Sequence, residues 1–166
     1  MLTAHYIGSH ANDDWATRAG WYLTRITQRG PFGMVTHSEA IHAEHSDGSV
    51  TIASASLRDG GVRAKENVFL NPAHWLITDM AGWDVQESID LLAHTKGQPY
   101  DLRGALATRL PGNDSSVRWF CNKWVSFPFL QAAGTFGPHH LAAICMSAGR
   151  NATHSFFWDR GLPDGQ

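Results

Sequence analysis

Residues 34–57 constrain the fold more than any other stretch. Two runs that alternate apolar and polar residues, Met34 to Glu44 and Val50 to Leu57, flank Ser46-Asp47-Gly48-Ser49. Period-two alternation marks a strand with one buried face, and Asp-Gly between two such runs signals a hairpin, since glycine accepts the positive φ of a tight turn. With Asp47-Gly48 as a two-residue turn, Ser46 faces Ser49, Glu39 faces Ser56 and His37 faces Arg58. Val35, His37, Glu39, Ile41 and Ala43 then share a face with Val50, Ile52, Ser54, Ser56 and Arg58. One end of that face is apolar. At the other, His37, Glu39, Ser54, Ser56 and Arg58 converge in a polar patch that is either a solvated edge or a site.

The flanking segments supply the rest of a domain. Leu2 to Ile7 reads as a short strand. Asn12-Asp13-Asp14 caps a helix whose stripe is Trp15, Ala19, Trp21, Tyr22, Leu23 and Ile26, ended by Gly30-Pro31. Beyond the hairpin, Arg58-Asp59-Gly60-Gly61 makes a second turn, in which the glycines supply positive φ. Val62 to Phe69 is a third meander strand and His74 to Met80 a fourth. After Gly82 the period becomes helical, with Val85, Ile89, Leu91 and Leu92 and a stop at Gly97. Asp101 to Leu110 is a second helix closed by Pro111-Gly112, and Asn113-Asp114-Ser115-Ser116 is a loop. A helix then starts near Cys121 and runs until Pro128 disturbs it, and a last one covers His139 to Ser147. No repeat, low-complexity tract or linker divides residues 1–166, which read as one α+β domain with a small antiparallel meander packed against helices.

Composition excludes several classes of function. A formal charge of -2 and the lack of a Lys/Arg-rich run argue against nucleic acid or an anionic membrane surface as the main partner. The N-terminus lacks a basic region followed by an apolar core, and no window approaches the roughly 18 apolar residues of a membrane span, so a soluble chain without a signal peptide is expected. The 2 cysteines are too few for a disulfide framework and show no zinc-site spacing. His37-Ser38-Glu39-Ala40-Ile41-His42-Ala43-Glu44-His45 is no better as a metal cluster. On a strand His42 and Glu44 point away from His37 and Glu39, and His45 lies about 26 Å from His37 at ~3.3 Å per residue. Neither metal nor cofactor is expected, and His139-His140 reads as a solvated pair.

Arg118-Trp119-Phe120-Cys121-Asn122-Lys123-Trp124-Val125 sets a thiol among three aromatic rings. Free cysteine is often buried and inert, so Cys121 is either core or nucleophile. Its place after a polar loop and before Trp124, Val125 and Phe127 suits the first turn of a buried helix. Unpaired N–H groups there favour a thiolate and can form part of an oxyanion hole. Cys145, within Leu141-Ala142-Ala143-Ile144-Cys145-Met146, reads as core.

The order of four segments gives a more specific expectation. His37 comes early in the meander, followed by Ser54-Ala55-Ser56-Leu57-Arg58-Asp59-Gly60-Gly61, Tyr100-Asp101-Leu102-Arg103-Gly104 and Arg118-Trp119-Phe120-Cys121. This order resembles the permuted branch of the NlpC-type papain-like cysteine peptidase superfamily, which has phage-encoded and YiiX-like bacterial members. The resemblance implies a papain-like fold of circularly permuted topology, in which the histidine strand precedes the nucleophile helix. It implies Cys121 as nucleophile and His37 as general base, with a peptide, such as a peptidoglycan peptide, as substrate. Family members commonly carry an orienting acid on the strand after the histidine. Here that region reads Ile52-Ala53-Ser54, so Glu39 is the expected replacement, with Ser54 and Ser56 as weaker hydrogen-bonding groups. Tyr100 and Asp101 fall near the cleft on the resemblance, while the local pattern reads Asp101 as a helix cap and Tyr100 as a half-buried ring. Asn122-Lys123 stands where relatives carry a small residue and an acid. Three readings stay open: an amide hydrolase, a lipid acyl hydrolase or transferase using the same dyad, and a catalytically idle module that binds phage virion proteins. The location that goes with them is a virion or the host cytoplasm.

Overall fold

The computed structural model describes residues 1–7, 15, 18, 22, 35–106, 118–130 and 138–158. Six strands, β1 (Leu2–Tyr6), β2 (His37–Glu44), β3 (Val50–Ser56), β4 (Gly61–Val68), β5 (Trp75–Asp79) and β6 (Arg150–Asn151), form one antiparallel sheet in the order β4-β3-β2-β1-β5-β6. The described helices are α1 (Val85–Thr95), α2 (Leu102–Leu106), α3 (Cys121–Leu130), α4 (Pro138–Ala148) and α5 (Thr153–Phe157). None is long and apolar enough to cross a membrane.

The expected hairpin is present, but its register differs. His45 N–H donates to the Ser49 carbonyl at 2.9 Å and Gly48 N–H to the His45 carbonyl at 3.0 Å, which makes a three-residue loop with Gly48 at φ 85°. A bulge between Ile41 and Ala43 then shifts the pairing again. Ala40 therefore pairs with Ala53, where the two-residue turn predicted Ala55. Continued from that pair, the register sets Glu39 beside Ser54 instead of Ser56, and His37 beside Ser56 instead of Arg58. Each slip alone would exchange the two faces of the strand; together they restore the parity, so the predicted face survives with different neighbours.

The meander ends at β4. The fourth predicted strand, β5, does not extend it but crosses to pair with β1, Ala4 opposite Ile77. Thr3 to Tyr6 are almost wholly buried, at 0–1% exposure, so the β1 backbone needs partners on both edges, and β2 and β5 supply them. The sheet is covered on both faces. Ala40, Ala53, Ala55 and Val62 pack with Trp124, Val125, Leu141 and Cys145, while Ala4, Ile41, Ile52 and Ile77 pack with Ala152, Phe156 and Phe157.

Helix α1 starts at Asp84, whose carboxylate accepts the Gln86 N–H at 2.9 Å, and stops at the predicted Gly97 with φ 83°. Helix α3 begins at Cys121 and passes through Pro128 to Leu130. Near a C-terminus that proline forfeits one backbone bond and leaves little helix to disrupt. Of the helix expected from the Asn12-Asp13-Asp14 cap to about Gly30, Trp15, Arg18 and Tyr22 are described. All three are helical and exposed, so Trp15 and Tyr22 do not belong to a buried stripe. The predicted helix 101–110 is described only over Leu102–Leu106, and Pro111-Gly112 and Asn113 to Ser116 lie outside the described residues, as do the side chains of His139 and His140. Strand β6 and helix α5 were not predicted, being too short for hydrophobic periodicity to register.

Candidate active site at the start of helix α3

Residue spacing on β2 makes the first contact of the site. His37 and Glu39, two residues apart, share a face, and His37 Nε2 lies 2.6 Å from Glu39 Oε1. Strand register makes the second. Ser54 of β3 pairs with Arg63 of β4, so Glu39, Ser54 and Arg63 stand in a row across three strands. The guanidinium grips the carboxylate with both arms, Nη1 to Oε2 and Nη2 to Oε1, each at 2.6 Å. Its Nε donates to Asp59 Oδ2 at 2.8 Å, and Lys65 Nζ donates to Asp59 Oδ1 at 2.8 Å.

These contacts set the charge states. Burial raises the Glu39 pKa, but His37 and Arg63 outweigh it and hold the carboxyl down to about 2. Burial lowers that of His37, but the Glu39 carboxylate and the Cys121 sulfur, by charge and by hydrogen bonding, bring it up to about 9. Glu39 and Asp59 likewise push the Arg63 pKa further up against burial, and Lys65 and Arg63 hold Asp59 well below the usual carboxylate range. At neutral pH His37, Glu39, Arg63 and Asp59 therefore read imidazolium, carboxylate, guanidinium, carboxylate.

Cys121 reaches this row from the other side of the chain. It is the first residue of α3, and the Phe120 carbonyl accepts the Trp124 N–H at 3.0 Å to open the helix. The sulfur lies close enough to the His37 ring to help raise the imidazole's pKa. The sulfur is also 3.4 Å from Asn122 Oδ1, and Cys121 is 3% exposed. Asn122 and Lys123 are buried; Lys123 Nζ donates to the Arg118 carbonyl at 3.3 Å and sits 5.1 Å from the Trp119 ring centroid. The first-turn N–H groups of α3 lie beyond the reach of intrahelical acceptors and favour negative charge at this end.

The other predicted site residues divide. Tyr100 lies close enough to Cys121 for the sulfur's charge, with burial as the larger cause and Asp101 as a further one, to raise its pKa well above normal, so it keeps its phenolic proton. Asp101 caps α2, accepting the Gly104 N–H at 2.9 Å. The Ser54 hydroxyl, fully buried, donates to the Ser38 carbonyl at 2.7 Å, and that of Ser56 accepts the Asp59 N–H at 3.3 Å. The structure thus brings Cys121, His37, Glu39 and Tyr100 together, and commits Asp101, Ser54 and Ser56 to backbone partners. Arg58 is exposed in the turn, and Arg63 holds the place beside Glu39. The sequence carries a signal for Arg63: register counted back from the Leu57-Arg58-Asp59-Gly60 turn sets it opposite Ser54.

The remaining histidines of the HSEAIHAEH segment bond elsewhere, His42 Nε2 to Ser88 Oγ at 2.9 Å and His45 Nε2 to Thr51 Oγ1 at 3.0 Å. Among the described residues no three His, Cys, Asp or Glu side chains are grouped to hold a metal. Cys145 is fully buried, with its thiol pushed up to about 11 by that burial. Comparison of the chain with protein-family models, with curated proteins and with solved structures gives no match.

Proposed function

We propose that the protein is a thiol hydrolase of permuted papain-like topology that cleaves an amide bond, with a peptide of the cell wall as the substrate class. One observation carries the reading: a cysteine at a helix N-terminus lies close enough to an imidazole to help raise its pKa, and the Nε2 of that ring is held by a buried carboxylate at 2.6 Å. In the reaction the Cys121 thiolate, paired with the His37 imidazolium, attacks the carbonyl carbon to form a C–S bond. The α3 N–H groups stabilise the oxyanion. Collapse breaks the C–N bond as His37 returns the proton to the departing amine. Water, deprotonated by His37, then cleaves the thioester, releasing an acid and restoring the thiolate–imidazolium pair. Glu39 holds the ring in orientation and favours the imidazolium.

The competing reading is an idle interaction module of the same fold. The burial of Cys121 favours it, whereas the His37 contact favours chemistry. Iodoacetamide labelling separates the two when Cys121 is followed by peptide mass spectrometry from about pH 4 to about pH 9. A thiolate paired with an imidazolium labels fast at acid pH, and His37→Ala should reduce that acid rate roughly 100-fold by removing the partner of the thiolate. An ordinary thiol titration, the same in both proteins, would sink the hydrolase reading.

A further inference from the structure

The reaction scheme leaves unused the most heavily bonded group at the site, Arg63. Four contacts hold it: both oxygens of Glu39 at 2.6 Å, Asp59 at 2.8 Å on its Nε edge, and the Ser54 carbonyl at 3.4 Å. Its side chain is 15% exposed and that of Glu39 2%, so the ion pair is well shielded from water. A strand staple alone would not require both arms on the one carboxylate oxygen pair that also touches the imidazole.

We propose that Arg63 is a positioning residue that tunes how strongly Glu39 holds the His37 proton, and that Asp59 in turn moderates Arg63. This rests on the hydrolase reading for its catalytic meaning, though the coupling itself is a property of the charges. The chemistry makes opposing demands on His37. It must hold a proton to stabilise the thiolate, yet release one to the leaving amine. An unshared buried carboxylate 2.6 Å away serves the first demand and opposes the second. A guanidinium on the same carboxylate draws off part of that attraction and fixes the angle at which Oε1 meets Nε2, while Asp59 keeps the fork from rotating and lessens its charge. Among the described residues, the charged or titratable groups arranged about His37 are Glu39 on its own strand, Tyr6 opposite it on β1, Cys121 at the start of α3 with Tyr100 beside the sulfur, and Arg63 on β4, backed by Asp59 and Lys65.

The test follows the His37 ring itself, by NMR titration of its Cε1–H resonance, assigned with His37→Gln. Arg63→Met should raise the His37 midpoint by about one unit, the order expected when an opposing charge near a carboxylate pair is removed. Asp59→Asn, which leaves Arg63 in place with more of its charge unopposed, should lower it by a few tenths, and Arg63→Lys should recover at least half of the Met shift. Circular dichroism identifies folded variants, and the Asp59→Asn and Arg63→Lys arms stand if Arg63→Met does not fold. Opposite shifts from the Asp59 and Arg63 variants support the tuning role, because a mere staple would not reverse sign. A midpoint unmoved in folded variants, or moved the same way by both, overturns it. A wild-type Cys121 that labels like an ordinary thiol would remove the hydrolase reading while leaving this coupling to be judged by the titration.

Discussion

At the scale of single residues, the catalytic candidates were legible and their support was not. Cys121 and His37 stood out by residue type and order, and Glu39 by its two-residue spacing from His37 on a strand, a relation that no register error can break. Arg63 depends on pairing across two strand boundaries, and an uncertain turn conceals it. Tyr100 to Gly104 shows the reverse case, a motif with a large structural content. A Cβ on Gly104 would lie 2.5 Å from Asp101 Oδ2 and 3.3 Å from the Phe120 ring, so the glycine lets the cap close against the residue preceding Cys121. Gly97, at φ 83°, has nothing within 4 Å of such a Cβ. Gly97→Ala should therefore cost only the backbone strain, about 1 kcal/mol, whereas Gly104→Ala should cost about 1–3 kcal/mol through overpacking. Urea midpoints measure both. Only Gly104→Ala, by displacing Asp101 and Phe120, should also slow Cys121 labelling; equal stability losses would contradict the steric account.

At the scale of elements, strands were found more readily than their partners. The alternating pattern specifies that residues 37–44 and 50–56 are strands, yet a loop one residue longer and a bulge one residue wide decide which side chains face each other. The last elements depend wholly on tertiary contact. Strand β6 pairs Asn151 with Thr78 and Arg150 with Asp79, and α5 is pinned where Thr153 Oγ1 accepts the Ile77 N–H at 2.9 Å and donates to the Ile77 carbonyl at 3.2 Å. Thr153→Val keeps the shape of the side chain and removes both bonds. It should destabilise by about 1–3 kcal/mol through the Ile77 amide left without its acceptor. Hydrogen exchange of that amide should accelerate together with exchange in α5. Unchanged protection would mean that the aromatic contacts of Phe156 and Phe157 alone hold the helix.

At the scale of the whole molecule, two histidines, one half-buried and one fully buried, place opposite limits on stability. His37, raised to about 9 by Glu39 and Cys121 against burial, binds its proton more tightly folded than unfolded. Its contribution is complete below the ordinary histidine pKa and is lost as pH rises through about 9. His5 is fully buried, with Nδ1 3.0 Å from Ser38 Oγ and Nε2 3.0 Å from Thr78 Oγ1, and burial lowers it to about 3. Its contribution is complete above the ordinary value and is lost as pH falls toward about 3; that of Glu39, present above the usual carboxylate range, is lost toward about 2. Urea midpoints should therefore peak near neutrality and fall on both sides. His37→Gln should flatten the alkaline limb and His5→Asn the acid one, and a wild-type midpoint still climbing at about pH 9 would contradict the His37 assignment. The sequence by itself determined the residue types, the strand and helix periods and the helix stop at Gly97, because these follow from backbone geometry over a few neighbouring residues. Only the tertiary structure decided that β5 returns to β1 and that Arg63 closes on Glu39. Both are pairings across the sheet, selected by which buried backbone and charged groups must find partners once the chain is compact.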